Sequence, residues 1–167
     1  MALTLQMIQE TLKNRDYNSL ILPLEEVQEN RLIVLCGDTD DGTPVVIQIS
    51  LKEHKPEEAD HSFYQLNCYC NLFKIQPSVV SDCSRLLHLI NKGSDLPGFG
   101  LDETSGLIFY RSDLFVSNEQ DTAIIESMLG MALFQIDLFV PFIKSVGSGE
   151  KTLHVALEEL FKEKEGV

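Results

Sequence analysis

The sequence predicts an α+β fold, with a mainly antiparallel five-stranded sheet packed against helices in the order α-β-β-β-α-β-β-α-α. Two pairs of β-rich segments are each joined by a short turn-forming segment, which is typical of antiparallel hairpins. Segments 79–90 and 122–143 carry apolar residues at the spacing of a helix. We expect residues 1–167 to form a single domain, with an additional C-terminal helix over 150–165.

The first helix is predicted over 4–15, where apolar residues recur at intervals of three and four. Pro23 and the acidic segment after it are expected to interrupt regular structure. Strands are predicted over 31–37 and 44–50, because both segments are rich in β-branched residues. The Asp41-Gly42 pair between them favours a tight hairpin turn.

A third strand is predicted over 63–73, where small or apolar residues alternate with polar and aromatic ones. Side chains that alternate along a strand point to opposite faces of the sheet. One face is expected to carry Leu66, Cys68, Cys70 and Leu72, and the other Phe63, Tyr69 and Phe73.

The second half of the chain is predicted to contain a helix, a hairpin and two further helices. Pro77 favours a helix start, and Gly93 favours its end. Strands are predicted over 99–103 and 107–112, with a glycine-containing turn between them. Ser117 and Gln120 form a capping-box pattern before the helix over 122–143, which is apolar nearly all round. Within that helix, Gly130 indicates either a close neighbour or a glycine that the helix tolerates, and Asp137 is expected at an interface or bonded to Arg111 or Lys144.

Charge and hydropathy exclude several classes of partner. The chain has 26 acidic and 13 basic residues, so its net charge is −13. This negative charge opposes binding to nucleic acid and to anionic membranes. The most apolar segment, 128–143, contains Gln135 and Asp137 and is shorter than the roughly 20 residues of a membrane span. We therefore expect a cytoplasmic protein with a buried helix at this position.

The polar residues predict no catalytic or metal site. Cys68 and Cys70 share one strand face, but neither they nor Cys36 and Cys83 follow the spacing of a zinc site, and free cysteines usually pack as small apolar residues. The aspartates at 38–41 lack the glycine and glutamate of a calcium loop, and a hairpin turn explains them better. Because no nucleophile and base are paired in the sequence, we expect no enzyme and no cofactor.

Three stretches together resemble the type III secretion chaperone superfamily, which includes the class I effector chaperones and the YbjN-like bacterial proteins. They are NRLIVLCGD followed by PVVIQIS, the long third strand, and LINKGSDLPGFGLDETSGLIFYRSDL, which is most similar to the YbjN-like pattern. The resemblance implies a non-catalytic homodimer that binds an extended client segment. It also implies that Leu86, Ile90, Leu107 and Phe109 lie in the dimer interface. The alternative is a YbjN-like regulatory or stress-associated protein with no secretion client.

The proposed client site follows from sheet physics. An antiparallel sheet covered by helices on one face leaves the other face open, and its edge strands offer unpaired backbone groups to a guest strand. We expect Leu35, Val46, Tyr69 and Phe73 to anchor the client on that open face. The alternative left open by the sequence is that these side chains are buried beneath the first or last helix.

Overall fold

The computed structural model describes residues 3–24, 29–38, 42, 44–55, 63–94, 98–116 and 122–165. Its α-helices are α1 (Leu5–Lys13), α2 (Val80–Gly93), α3 (Thr122–Gly147) and α4 (Leu153–Glu165), and one 3₁₀ turn, Pro77–Val79, precedes α2. Its strands are β1 (Asn18–Leu24), β2 (Glu29–Asp38), β3 (Pro44–His54), β4 (Phe63–Lys74), β5 (Phe99–Asp102) and β6 (Leu107–Val116).

The α+β class is confirmed, but the sheet has six strands rather than five. The strand order is β1-β2-β3-β4-β6-β5, and the sheet is antiparallel. The predicted helices and hairpins lie where the spacing placed them, with ends shifted by a few residues. The capping-box residues Ser117 and Gln120, and Asp41 of the first hairpin turn, lie outside the described residues.

The additional strand is β1, in the segment where Pro23 was expected to interrupt regular structure. β1 pairs only with β2, so it forms one edge of the sheet. A proline has no N–H to donate, and on an edge strand it is tolerated when that position faces away from the neighbouring strand. The expectation that Pro23 interrupts regular structure was wrong. Proline disrupts a central strand, whereas β1 lies at an edge of the sheet.

The chain forms two compact units, and the first comprises residues 1–70 and 111–133. Thr4 caps α1, because its side-chain oxygen accepts a hydrogen bond from the backbone N–H of Met7 at 3.3 Å. The helix packs on β1 and β2 and buries Ile8 and Leu12 completely. Other core residues of this unit are Leu32, Val34, Val45, Ile47, Ile49, Leu66, Cys68, Cys70, Ile125 and Leu129.

The second unit comprises residues 71–110 and 134–167 and is built around α2, β5 and α4. Phe99 lies edge-on to Tyr110 and to Phe139, with ring centroids 5.2 and 6.0 Å apart. Gln135 is buried, and its Oε1 accepts a hydrogen bond from the Ser94 hydroxyl at 3.0 Å. That bond satisfies a polar group which would otherwise be costly to bury.

Helix α3 is longer than predicted. It has 26 residues, and its segment Ala123–Gly147 is long and apolar enough, by length and composition, to cross a membrane. The length expected for this segment was therefore too short. The expectation of a buried helix was also wrong, because only one side of α3 is buried and the other exposes Met131 and Phe134. Asp137 is exposed on α3, and Arg111 bonds to Asp113. An added Cβ at Gly130 would meet no atom within 4 Å, so the close neighbour suggested for Gly130 is not found in the described residues.

Candidate functional site

The strands of the first unit bury one face of the sheet and leave the other partly open to solvent. Along β2, Leu32 and Val34 are fully buried, whereas Ile33 between them is half-buried and Leu35 is exposed. The same alternation continues along β3 and β4. We name the second surface the open face, and it carries Leu20, Leu22, Arg31, Ile33, Leu35, Val46, Gln48, Ser50, His54, Phe63, Gln65, Asn67, Tyr69, Arg111, Asp113 and Phe115.

Five apolar side chains form a patch on β1, β2 and β3, which we name the leucine patch: Leu20, Leu22, Ile33, Leu35 and Val46. Strand register brings them together, because Leu20 pairs with Ile33 and Leu35 pairs with Val46. The three leucines are 59%, 42% and 54% exposed, in chain order. Isolated exposed leucines are common on proteins, but a contiguous group on one sheet face marks a surface suited to binding.

A polar network centred on Asp113 lies on β4 and β6. The Asp113 carboxylate accepts hydrogen bonds from Gln65 Nε2 at 2.9 Å, Asn67 Nδ2 at 3.0 Å and Arg111 Nε at 3.0 Å. Burial raises the pKa of Asp113, but the hydrogen bonds from Asn67, Arg111 and Gln65 outweigh it, so the pKa lies below its ordinary value. The carboxylate is therefore ionised at neutral pH and held in a fixed orientation.

An aromatic cluster lies beside this network. The rings of His54 and Phe63 are stacked, with centroids 4.9 Å apart and planes 8° from parallel. Phe115 lies 5.9 Å from Phe63 and is 60% exposed. Gln65 donates its amide N–H to Asp113, so its Oε1, 3.0 Å from His54 Nε2, acts as the acceptor. His54 therefore carries a proton on Nε2.

Each edge strand has a backbone group that is bonded to a side chain. On β1, Gln9 Nε2 donates to the Ser19 carbonyl at 2.9 Å, and Pro23 has no N–H to offer. On β5, Asn91 Nδ2 donates to the Phe99 carbonyl at 2.7 Å, and Asn91 Oδ1 accepts from the N–H groups of Phe99 and Gly98. These bonds oppose pairing of a guest strand with Ser19 and with Phe99. The open face, rather than an edge, is the better candidate site.

The structure brings together three of the four residues predicted to bind a client. Leu35 and Val46 are cross-strand neighbours in the leucine patch, and Tyr69 pairs with Gln48 on the same open face. Phe73 belongs to the second unit, where its ring lies 3.3 Å from the position of an added Cβ at Gly147. Phe73 thus packs near α3 within the second unit, and its role in client binding stays a prediction.

Leu20, Leu22 and Phe115 were missed by sequence reasoning. The two leucines lie on the strand that Pro23 concealed, and Phe115 lies beyond the predicted end of its strand at Ser112. The short apolar run at residues 20–22 was the available signal for β1, and such a run is consistent with a strand.

The residues implied for a dimer interface differ in their exposure. Leu86 and Ile90 are buried within the second unit, on the inner side of α2, whereas Leu107 and Phe109 on β6 are half-buried. Phe109 pairs with Gly100, and its ring occupies the space where a Cβ at Gly100 would lie. Dimerisation through this region stays a prediction.

The thiols lie on or near the buried face of the sheet and on α2. Burial is the main cause that raises the pKa of Cys36 and Cys68 to about 12, and the pKa of Cys70 and Cys83 to about 11. Thiols with such values carry almost no thiolate at neutral pH and are poor nucleophiles. Among the described residues, no three His, Cys, Asp or Glu side chains converge in a group able to hold a metal ion.

A comparison of the chain with protein-family models and with curated proteins finds no match. The geometry of the open face therefore carries the functional argument, together with the resemblance described above.

Proposed function

We propose that this chain is a non-catalytic binding protein whose open face holds an extended segment of another polypeptide. The observation that carries the proposal is the leucine patch, where three leucines are between 42% and 59% exposed on one face of a sheet. Exposing apolar area costs about 25 cal/mol per Å², so a guest that covers the patch gains that free energy. A few well-covered apolar side chains usually supply most of the affinity of such a contact.

Charge defines the chemistry of the guest more closely. The protein as a whole has a net charge of −13, although the open face itself carries Arg31 and Arg111 beside Asp113. A guest that combines apolar side chains with lysine or arginine is attracted over long range by this negative charge, whereas an acidic guest is repelled. The proposed client is therefore an extended segment with alternating apolar and basic residues.

The finer assignment, a cytoplasmic bacterial secretion chaperone that binds its effector as a homodimer, rests on the sequence resemblance and on its agreement with the α+β fold. A YbjN-like regulatory or stress-associated protein is the alternative with the same fold. The two proposals differ in the client. The chaperone would be favoured if an adjacent gene encodes a secreted protein and this chain binds the N-terminal segment of that protein. The shared proposal is polypeptide binding on the open face.

The test is a selection of random 15-residue peptides displayed on phage, with the wild-type protein immobilised and Leu35→Glu as the counter-selection. We expect enriched peptides that combine apolar and basic residues and that lose binding to the Leu35→Glu protein. A matched control is Leu89→Glu, which places the same charge on the exposed side of α2. Failure to enrich any peptide, or enrichment of peptides that bind the wild-type and Leu35→Glu proteins equally, contradicts the proposal.

A further inference from the structure

The open face carries a second apolar group besides the leucine patch. It is the aromatic cluster of His54, Phe63 and Phe115, at the end of the sheet where β3 ends and β4 begins. All residues of the leucine patch and of the aromatic cluster belong to the first compact unit. The two groups are therefore parts of one surface, and a single extended guest can contact both.

The rings of the aromatic cluster are held in place by the protein itself. His54 and Phe63 are cross-strand partners whose rings stack, and Gln65 lies 3.0 Å from the His54 ring nitrogen. Gln65 is held in turn by its hydrogen bond to Asp113 on β6. Phe115 is tilted by 58° against Phe63, yet it is 60% exposed. A guest that covers this ring orders few further side chains of the protein, which favours binding.

The charges around the aromatic cluster favour an uncharged ring as its occupant. The Asp113 carboxylate is already paired with Arg111, 3.0 Å from Nε to Oδ2, so it offers little uncompensated charge to a guest cation. Lys52 pairs with Gln65 in register and is exposed on the same face, where its ammonium group repels a guest lysine or arginine. A guest carboxylate would lose hydration against the Phe115 ring.

An aromatic side chain avoids each of these costs. It can lie edge-on or offset against the exposed ring of Phe115, with centroids about 4.5–7 Å apart, and such pairs gain free energy beyond the area they bury. The basic residues of the guest are attracted by the net charge of the whole protein, and they fit positions away from this cluster.

Polar side chains lie between the two apolar groups. Arg31 Nη1 donates to Gln48 Oε1 at 2.9 Å, and Asn67 Nδ2 donates to Asp113 Oδ1 at 3.0 Å. Covering such groups with apolar side chains removes them from water and is unfavourable. The guest segment that crosses this strip is therefore expected to be polar.

Strand register sets the distance between the two anchors. Leu35 pairs with Val46 on β3, and Leu20 lies in the same cross-strand row as Gln48. His54 lies eight residues beyond Val46 and six beyond Gln48 on that strand. At about 3.3 Å per residue these separations are about 26 and 20 Å, so an extended guest that follows β3 spans them with roughly six to eight residues.

We propose that the aromatic cluster is the second anchor site for the guest, and that it binds an aromatic side chain roughly six to eight residues from the aliphatic side chain held by the leucine patch. The partner is an extended segment with one aliphatic anchor, one aromatic anchor and a polar stretch between them. This inference rests on the proposed function, because it adds a second contact to the same guest.

Parallel selections test the second anchor. Random 15-residue peptides on phage are selected on immobilised wild-type, Phe115→Gln and Phe161→Gln proteins. Phe161 on α4 is 57% exposed and belongs to the other unit, so its variant is the matched control. We expect the wild-type and Phe161→Gln proteins to select an aromatic residue at the stated spacing from leucine, isoleucine or valine. The Phe115→Gln protein should keep the aliphatic preference and lose the aromatic one.

The outcomes separate this inference from the proposed function. The same sequence preferences on all three proteins would overturn the second anchor and leave the leucine patch as the binding site. No enriched peptide on any of the three proteins would overturn the proposed function and the second anchor together.

Anisotropy with one enriched, labelled peptide measures the contact directly. Replacing its aromatic residue with alanine should raise the dissociation constant about fivefold or more for wild type, but less than about twofold for Phe115→Gln, which already lacks the partner ring. Because Phe115 is exposed, Phe115→Gln should melt within a few degrees of wild type. Equal losses in both proteins would overturn the proposal.

A shortened peptide tests the same arrangement on the unaltered protein. Removing three residues between the two anchors shortens the reach of an extended segment by about 10 Å, so it can no longer occupy both sites. We expect the dissociation constant to rise about fivefold or more. Unchanged affinity of the shortened peptide for wild type would overturn the proposal.

Discussion

Asn91 on α2 satisfies both backbone groups of Phe99 on the edge strand β5. Its Nδ2 donates to the Phe99 carbonyl at 2.7 Å, and its Oδ1 accepts from the Phe99 N–H at 3.1 Å. One side-chain amide thus takes the place of a neighbouring strand. Because the backbone of Phe99 is already bonded, a guest strand cannot pair with this residue, and the open face offers the better contact.

The first prediction concerns this cap. Asn91→Ala should lower the free energy of unfolding by about 1–3 kcal/mol, because it leaves buried backbone groups of β5 without partners. Urea unfolding measures the change. Asn91→Asp keeps the acceptor for the N–H groups of Gly98 and Phe99 but sets a carboxylate oxygen against the Phe99 carbonyl, so it should also destabilise the protein. An unchanged free energy of unfolding in Asn91→Ala would contradict the role of this cap.

The second prediction concerns Asp113 and pH. Its pKa in the folded protein lies below its ordinary value of 3.8, so its contribution to stability is present above that value and is lost as the pH falls through the folded-state pKa. Asp113→Asn should be less stable than wild type by about 1–2 kcal/mol at pH 7. That difference should shrink below pH 3.8. A difference independent of pH, measured by urea unfolding between pH 2.5 and 7, would contradict a charge-dependent network.

The third prediction concerns the contact between Gly100 and Phe109. An added Cβ at Gly100 would lie only 2.6 Å from Phe109 Cε2. Gly100→Ala should therefore destabilise the protein by about 1–3 kcal/mol through overpacking. The same change should cost less in a Phe109→Leu background, which removes the ring. Equal losses in both backgrounds, in a double-mutant cycle, would mean that the ring is not the obstacle.

The fourth prediction concerns the thiols. Burial raises their pKa values from 9.0 to about 11 or about 12, so the folded protein should react with iodoacetamide at pH 8 far more slowly than the unfolded protein. Since the raised values favour the protonated form, this contribution to stability is complete below pH 9 and is lost as the pH rises above it. A native thiol that reacts as fast as in urea would contradict this account.

Local patterns predicted most of the fold because they are consistent with the tertiary structure. The helical spacing of α1 and α2, and the alternation of β3 and β4, survive in the structure with small shifts at the ends. β1 was not predicted because Pro23 is unfavourable in a strand unless the strand lies at an edge, and sequence alone does not reveal an edge. The full length of α3 was underestimated because the segment beyond Ile143 becomes polar.

The candidate site was predictable only in part. Leu35, Val46 and Tyr69 follow from alternation along strands, since a strand that buries one face exposes the other. Leu20 and Phe115 could not be placed on this face without knowing where their strands begin and end. The bonds of Asp113 to Gln65 and Asn67 could not be predicted without knowing that β4 lies beside β6. Phe73 follows the same alternation, yet it packs near Gly147, a contact between residues far apart in sequence.

The central claim is that the leucine patch binds polypeptide, and the most direct measurement is the affinity of one enriched, fluorescently labelled peptide for single variants by anisotropy. We predict that Leu20→Glu and Leu35→Glu each raise the dissociation constant about tenfold or more, while Leu89→Glu changes it less than about twofold. Since Leu20 and Leu35 are exposed, their variants should keep the melting temperature within a few degrees of wild type. Unchanged affinity in both patch variants, measured on folded protein, would contradict the claim.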